Sequence, residues 1–346
     1  MFLFLTLFVP FISVIITAHN RREFLLEAVN SALNQTLPKD EYEVIVVKNF
    51  EDERIDKFLE DHGVKNIVTK EEPLGAKIAI GVEESKGEVI SLLEDDDLWL
   101  PQKLEKVKQV FQDENVIYYL NKAYDFYGSL SMDSLIDKIK LNKDSGKLLK
   151  LTIRDRIKRV SVNNSSIAVR KKIFSKNALD KIKNVYLAVD VLLFYLAYCN
   201  NGYFIFDDEI LTLRRVHTTN ASASRIIDYE SWLAHVSNWV RIYKYDYLTF
   251  LDIFTHYDEC KIPDEFKKRL ISHLEAGYLG CAVTYSRLPN TENELTLKEL
   301  IKYLKYQRSL KSFLYGFLPY APKKIKEYAT KKWYNYNLSV MRSNEQ

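Results

Sequence analysis

Glycine is scarce in this chain, with ten in 346 residues. None follows the first strand-like run, where the sequence reads Thr17-Ala18-His19-Asn20-Arg21. A dehydrogenase needs a glycine-rich turn there to bring backbone against a pyrophosphate, so that class is excluded. A nucleotidyltransferase is disfavoured for the same reason. Cysteine is scarcer still. Cys199, Cys260 and Cys281 are far apart, odd in number and form no CxxC pair. Neither a zinc site nor a disulfide framework is expected, and a reducing, cytoplasmic compartment fits. An excess of one charge is also missing. Lys and Arg total 50 against 47 Asp and Glu, a net charge of +3, which gives no global case for nucleic acid.

A long apolar run is lacking too. A membrane-spanning helix needs about 20 apolar residues. Residues 1–16 are almost wholly apolar, but 11–16 read as the first core strand. The nine residues before Pro10 would reach only ~14 Å as a helix. No basic residue precedes the run and no small-residue cleavage site follows it. Residues 1–10 are therefore expected to be an apolar extension, buried or lying on a surface, rather than a spanning or cleaved element.

What is present is a normal globular balance, 47% hydrophobic and 28% charged, rich in Tyr (23) and Phe (18). The first hundred residues alternate between strand and helix patterns. Residues 11–16, 43–47, 67–68 and 89–93 are short apolar runs, as in strands buried on both faces. Between them lie helical stripes: about 21–34, capped by Asn20; a second helix closed by Gly63; and a third over about 76–85. Pro101 opens a fourth. This order predicts an α/β fold with a mainly parallel sheet and helices on both faces. Residues 120–160 read as mixed, charged and helical. Strand patterns return at Ser166–Val169 and Tyr203–Phe206, with a helix carrying Leu192, Leu193 and Leu196 between them. From about 225 the pattern is helical.

Ligands on such sheets bind beyond the carboxyl ends of the strands. After the fourth strand stand four consecutive acids, Glu94-Asp95-Asp96-Asp97, between apolar segments. A charge run is usually a solvated face. Like charges at a sheet edge repel, by about 1 kcal/mol at 4 Å in water and about 4 kcal/mol at an effective dielectric of 20. Several such pairs point to a neutralising cation, and hard oxygen ligands select Mg²⁺ or Mn²⁺.

Ser13-Val14-Ile15-Ile16-Thr17-Ala18-His19-Asn20-Arg21 and Glu94-Asp95-Asp96-Asp97-Leu98-Trp99-Leu100-Pro101 resemble the two signatures of family 2 glycosyltransferases. The segment Gly75–Gly87 is similar to a third, with Gly81 and Gly87 in place. Ala188–Phe194 resembles the stretch that carries the family's catalytic Asp, and Leu213–Asn220 its Arg-x-His stretch. The resemblance covers about 11–222. It implies a GT-A, Rossmann-like domain divided into a nucleotide-sugar half (11–111) and an acceptor half (112–222), followed by a helical, basic and aromatic region (223–346). The implied activity is an inverting nucleotide-sugar glycosyltransferase of the hexosyl-transferring class, using Mn²⁺ or Mg²⁺. Asp190 is the implied catalytic base, and Asp96 with Asp97 the metal ligands. Thr17, His19, Asn20, Arg21, Asn49, Lys77, Glu94, Asp95, Arg215 and His217 are the implied donor-binding residues. Glu94 replaces the family's usual first Asp. Lys48-Asn49 replaces a pair of acids near the nucleotide base, where Lys48 would add positive charge. Ile78-Ala79 replaces an Arg-Asn pair, whose charge Lys77 would supply. These departures keep a non-catalytic nucleotide-sugar-binding relative open as an alternative.

Residues 298–346 carry eleven Lys/Arg and three Asp/Glu, interleaved with aromatics. Such a segment suits either a helical cap with a solvated lysine face or peripheral contact with an anionic membrane. The expected partners are a nucleotide-diphosphate sugar and a glycan or lipid-linked acceptor.

Overall fold

The computed structural model describes residues 9–128, 132–141, 147–152, 163–217, 228–307 and 309–344. The first eight residues of the apolar extension lie outside it, as do residues 153–162 and 218–227.

The chain forms β1 (Ile12–Ala18), α1 (Leu25–Leu33), β2 (Tyr42–Lys48), α2 (Glu53–Asp61), β3 (Lys65–Val68), α3 (Leu74–Glu83), β4 (Val89–Glu94), β5 (Leu98–Trp99) and α4 (Lys103–Phe111). There follow β6 (Val116–Tyr127), α5 (Met132–Leu141), β7 (Leu148–Leu151), β8 (Ile167–Arg170), α6 (Lys176–Ile182), α7 (Val189–Tyr198) and β9 (Tyr203–Val216). Five helices complete it: α8 (Tyr229–Thr255), α9 (Asp264–Ser286), α10 (Leu297–Tyr306), α11 (Leu310–Tyr315) and α12 (Lys323–Asn344). Two compact units result. The first runs to Arg215 and includes Asp258–Ile262; the second comprises Val216–Tyr257 and Pro263–Gln346.

In the first unit one sheet has the strand order β3-β2-β1-β4-β8-β6-β9-β5, with β7 on β9. β3, β2, β1 and β4 are mutually parallel, while β8 runs antiparallel to β4 and β6. The parallel half follows the sequence reading. All seven residues of β1 are buried, because helices cover both faces. Ile12, Val14 and Ile16 pack with Leu25, Val29 and Leu104 in one core cluster. Burying each such side chain contributes about 1.5–3 kcal/mol. On the other face Gly81 of α3 sits so close to β1 that a Cβ would stand 2.6 Å from the Ile15 side chain. At Gly87 a Cβ would stand 2.6 Å from the backbone nitrogen of Ser13.

Three local expectations are corrected. Residues 116–127 are a long strand, not part of a helical stretch; their Val, Ile and four Tyr residues suit a pleated sheet. The first helix starts at Leu25, and Asn20 does not cap it. Asn20 instead turns the chain at φ +56, in the left-handed region that Asn tolerates. Cys199, just past α7, is disulfide-bonded to Cys260, 61 residues away in sequence with the Cα atoms 4.5 Å apart. The Lys261 N–H donates to the Cys199 carbonyl at 2.9 Å beside it. Separation along the chain carries no information on separation in space once a helix end and a linker meet. The bond also removes the cysteine argument for a reducing compartment.

In the second unit α8 and α9 pack together, and Trp232, Leu233, Val236, Val240 and Leu288 form a core with Trp333 and Tyr334 against it. No helix among the described residues is long and apolar enough to cross a membrane.

Candidate active site

Thr17 of β1 pairs in register with Val47 and with Glu94, and Ala18 with Lys48. The segments leaving β1, β2 and β4 therefore open at one edge of the sheet. There Glu94 is half-buried, and Asp95, Asp96 and Asp97 are only 3, 4 and 1% exposed. Carboxylates this dry need specific counter-groups. Arg21 supplies one: its Nη2 contacts Asp95 Oδ1 and lies 2.8 Å from Asp96 Oδ2, while its Nε donates to Asp95 Oδ1 at 3.2 Å. Ser165 supplies another. Its hydroxyl accepts from the Glu94 N–H at 3.0 Å and donates to Asp97 Oδ2 at 2.6 Å. Asp97 Oδ1 accepts the Arg215 N–H at 3.0 Å, and Asn164 Nδ2 donates to Glu94 Oε1 at 3.1 Å.

These groups only partly offset the repulsion. Burial pushes the Glu94 carboxyl well above the usual range, and the charges of Asp96 and Asp97 add to it. Burial, then the charge of Asp96, pushes Asp97 up to about 7. Burial pushes Asp95 up to about 6 against the pull of Arg21. Its Oδ2 has no hydrogen-bond partner among the described residues. Glu94, Asp96 and Asp97 each offer an oxygen, all within 4.8 Å of one another. This donor set fits a hard divalent ion: the oxygens converge and their charge is under-compensated.

Asp190 occupies the first turn of α7, where it is buried and accepts the Val191 N–H at 2.8 Å. α7 packs on β6 and β8. The charge of Asp190 acts on Glu94 and on the Tyr118 hydroxyl, so the three share one neighbourhood. Tyr118 is fully buried, and its hydroxyl has no hydrogen-bond partner among the described residues.

The remaining residues fall into two groups. Asn20 and Asn49 bridge the ends of β1 and β2: the Asn20 N–H donates to Asn49 Oδ1 at 2.7 Å, and Asn49 Nδ2 donates to Asn20 Oδ1 at 3.1 Å. His19 stands half-exposed beside them. Lys77 is buried and its ammonium donates to the carbonyls of Glu71 and Glu72 at 2.6 and 2.9 Å, with His19 Nδ1 at 3.2 Å. An ammonium only donates, so Nδ1 is the acceptor of that contact, while Nε2 faces Asn20 Nδ2 at 3.2 Å and Glu72 Oε2 at 3.3 Å. Burial and the charge of Lys77 lower the His19 pKa, which keeps the ring neutral.

Two cations are engaged away from the open edge. Lys48, expected to add positive charge near the nucleotide, is instead fully buried, 2.7 Å from Asp56 Oδ1 and donating to the Phe50 carbonyl at 2.6 Å. A buried ammonium needs a partner, and α2 supplies one. The Arg215 guanidinium reaches the Asp96 carbonyl at 3.1 Å, the Gly128 carbonyl at 3.3 Å and Glu27 Oε2 at 2.6 Å, stacked over Phe24 and Phe126. His217 follows β9 and belongs to the second unit.

Sequence reasoning missed Asn164, Ser165, Tyr118 and Glu27. The one available signal was the polar run Asn163-Asn164-Ser165-Ser166 directly before the apolar β8.

A parallel half-sheet continued by antiparallel strands, with acids converging at its carboxyl edge, is a GT-A-like fold. Residues 13–176 match the family described as Glycosyl transferase family 2. An uncharacterised glycosyltransferase of Rickettsia typhi is 25% identical over 311 residues, covering 86% of this chain and 92% of the relative. Glycosyltransferase AglE of Haloferax volcanii is 33% identical over 93 residues, 25% of this chain and 31% of that protein. Among solved structures, S. aureus TarS 1-349 in complex with UDP-GlcNAc superposes with a TM-score of 0.56 at 15% identity, over 85% of this chain and 78% of that one.

Proposed function

We propose that this glycosyltransferase moves a hexose from a nucleotide-diphosphate donor to an acceptor hydroxyl with inversion at the anomeric carbon. The convergence of Glu94, Asp96 and Asp97 in the neighbourhood of Asp190 carries the reading. Asp96 and Glu94 would hold a divalent ion, Mn²⁺ or Mg²⁺, with Asp97 beside them. When bound, such an ion neutralises charge on the leaving diphosphate as a Lewis acid. Asp97, whose oxygens already accept from Ser165 and the Arg215 N–H, would offer it only the remaining lone pairs.

Asp190 accepts the proton of the acceptor hydroxyl. A single base and a direct displacement give inversion. Thr17, Asn20 and Asn49 receive the nucleotide, with the neutral His19 ring stacking on it and Lys77 fixing that ring. Asp95, braced by Arg21, contacts the donor ribose or sugar. Arg215 positions the acid loop from beneath through the Asp96 carbonyl and the Asp97 carboxylate. The TarS complex with UDP-GlcNAc supports a uridine-diphosphate sugar as the first donor to try. The acceptor is a glycan or a lipid-linked sugar. Leu310, Phe313, Leu314 and Phe317 are exposed at 75, 40, 57 and 45%. They support peripheral membrane contact, which Phe313→Asp with Leu314→Asp would abolish in liposome flotation.

The deciding experiment is Asp190→Asn. Transfer should fall by about 10²–10⁴-fold, the usual worth of a general base, while calorimetric binding of the donor with Mn²⁺ stays within about twofold. Near-normal turnover would remove Asp190 from the role.

A further inference from the structure

Outside the acid edge, the second unit holds a cavity of about 530 Å³, within the range of small-molecule sites. Its walls come from the end of α9 (Arg287), from α11 (Lys311, Tyr315) and from α12 (Tyr328, Lys332, Trp333). Three cations line it and no described lining residue is an acid.

Arg287 is the unusual member. Its guanidinium lies over the Tyr315 ring at 4.9 Å and the Trp333 ring at 5.0 Å. Among the described residues its side chain has neither a hydrogen bond nor an ion pair. Neighbouring cations of the same unit are treated differently: Lys244 pairs with Glu294, Lys302 with Glu275, and Lys326 donates to the Ser286 carbonyl at 2.8 Å. A half-buried guanidinium held by ring faces alone has lost hydration and gained no anion. Lys311 and Lys332 stand exposed at the rim over Tyr315 and Tyr328, at 5.7 and 4.8 Å.

We propose that this cavity is a second ligand site of the chain, built for a saccharide phosphate: the phosphate on Arg287, Lys311 and Lys332, the sugar ring on the tyrosines. A guanidinium fork matches phosphate oxygens in a bidentate way. Tyrosine offers a sugar an apolar face for its C–H groups and a hydroxyl for its own. That chemistry is common to a phosphate-bearing glycan and to the headgroup of a lipid-linked sugar. Calling the ligand an acceptor rests on the proposed function; the binding itself does not.

The test is calorimetry on the full chain in EDTA, in an Asp96→Asn background so that the acid edge does not contribute. Glucose 1-phosphate is the probe, with glucose, inorganic phosphate and UMP as comparators. Glucose 1-phosphate should bind about tenfold more tightly than any comparator, and Arg287→Gln should weaken it about tenfold, the worth of one charge-assisted contact. Because Arg287 is partly buried, the surface pair Lys311→Gln with Lys332→Gln provides an independent variant with the same expected loss. Equal binding of inorganic phosphate or UMP, or binding indifferent to both variants, overturns the proposal. Co-sedimentation separates the sources. Retention by a soluble phosphoglycan, or by vesicles carrying a polyprenyl-diphosphate sugar, in a manner lost in the lysine pair, names the natural ligand. Retention by neither overturns the site. No transfer assay enters this test, so its failure leaves the assignment of Asp190 standing.

Discussion

Two regions of the chain gather like charge, of opposite sign and by opposite means. At the acid edge three carboxylates sit almost out of water with the half-buried Glu94 beside them, and each counter-group is fixed in advance: Arg21 for Asp95 and Asp96, Ser165 and the Arg215 N–H for Asp97, Asn164 for Glu94. In the second unit Arg287 and two lysines line a cavity with aromatic rings and no described acid. Rigid strands explain the first arrangement, because a sheet edge holds the loops after β1 and β4 in register and lets backbone donors share the charge. Helix faces explain the second. They offer side chains but few unpaired backbone groups, so their cations rest on rings. Pre-set hydrogen bonds suit a site that must hold reacting atoms still. A wet rim of lysines suits one that only binds.

The comparison breaks most sharply at Asp96. Asp96→Asn should abolish Mn²⁺-dependent donor binding and lower transfer by at least about 10²-fold, yet leave glucose 1-phosphate binding to the second unit unchanged. Loss of both in one variant would merge the two regions into one site.

Arg21→Met tests whether the counter-groups are structural. Removing one partner of a buried pair costs about 3–5 kcal/mol. Arg21 is partly open, so the metal-free protein should lose about 3 kcal/mol in urea unfolding. Mn²⁺ should restore part of the loss. No loss would show that Arg21 is a surface residue for this purpose.

A pH titration sharpens the contrast further. Asp97 stands at about 7 in the folded chain against 3.8 for an ordinary Asp. Between those values the folded protein holds a proton that the unfolded chain has released. Stability of the metal-free protein therefore falls as pH rises from about 4 to 7, and stays low above that. Melting in EDTA should occur at a lower temperature at pH 8 than at pH 5.5, and Mn²⁺ should raise it more at pH 8. Asp97→Asn should flatten the profile. A profile that rises with pH would contradict the charge balance described for the acid edge.

The smallest effect belongs to Glu27→Gln. Its carboxylate meets Arg215 at 2.6 Å but is 55% exposed, so the pair contributes only about 0–1 kcal/mol. A larger loss would show that the acid loop depends on this brace.

The sequence alone determined the parallel half of the sheet and the position of the acid cluster. Apolar runs such as 11–16 and 89–93 admit one burial pattern, and four acids after a strand can stand only at its carboxyl end. Asp190 entered through resemblance, since one Asp in a helix turn carries no signal of its own. Only the tertiary structure decided which charges meet. It buried Lys48 on Asp56 rather than near a nucleotide, turned Arg215 under the acid loop, brought Ser165 between Glu94 and Asp97, and closed Cys199 on Cys260. Hydrophobic periodicity is a local property and is written in the order of residues. Charge pairing acts through space between segments far apart in the chain, and becomes definite only when packing sets the distances.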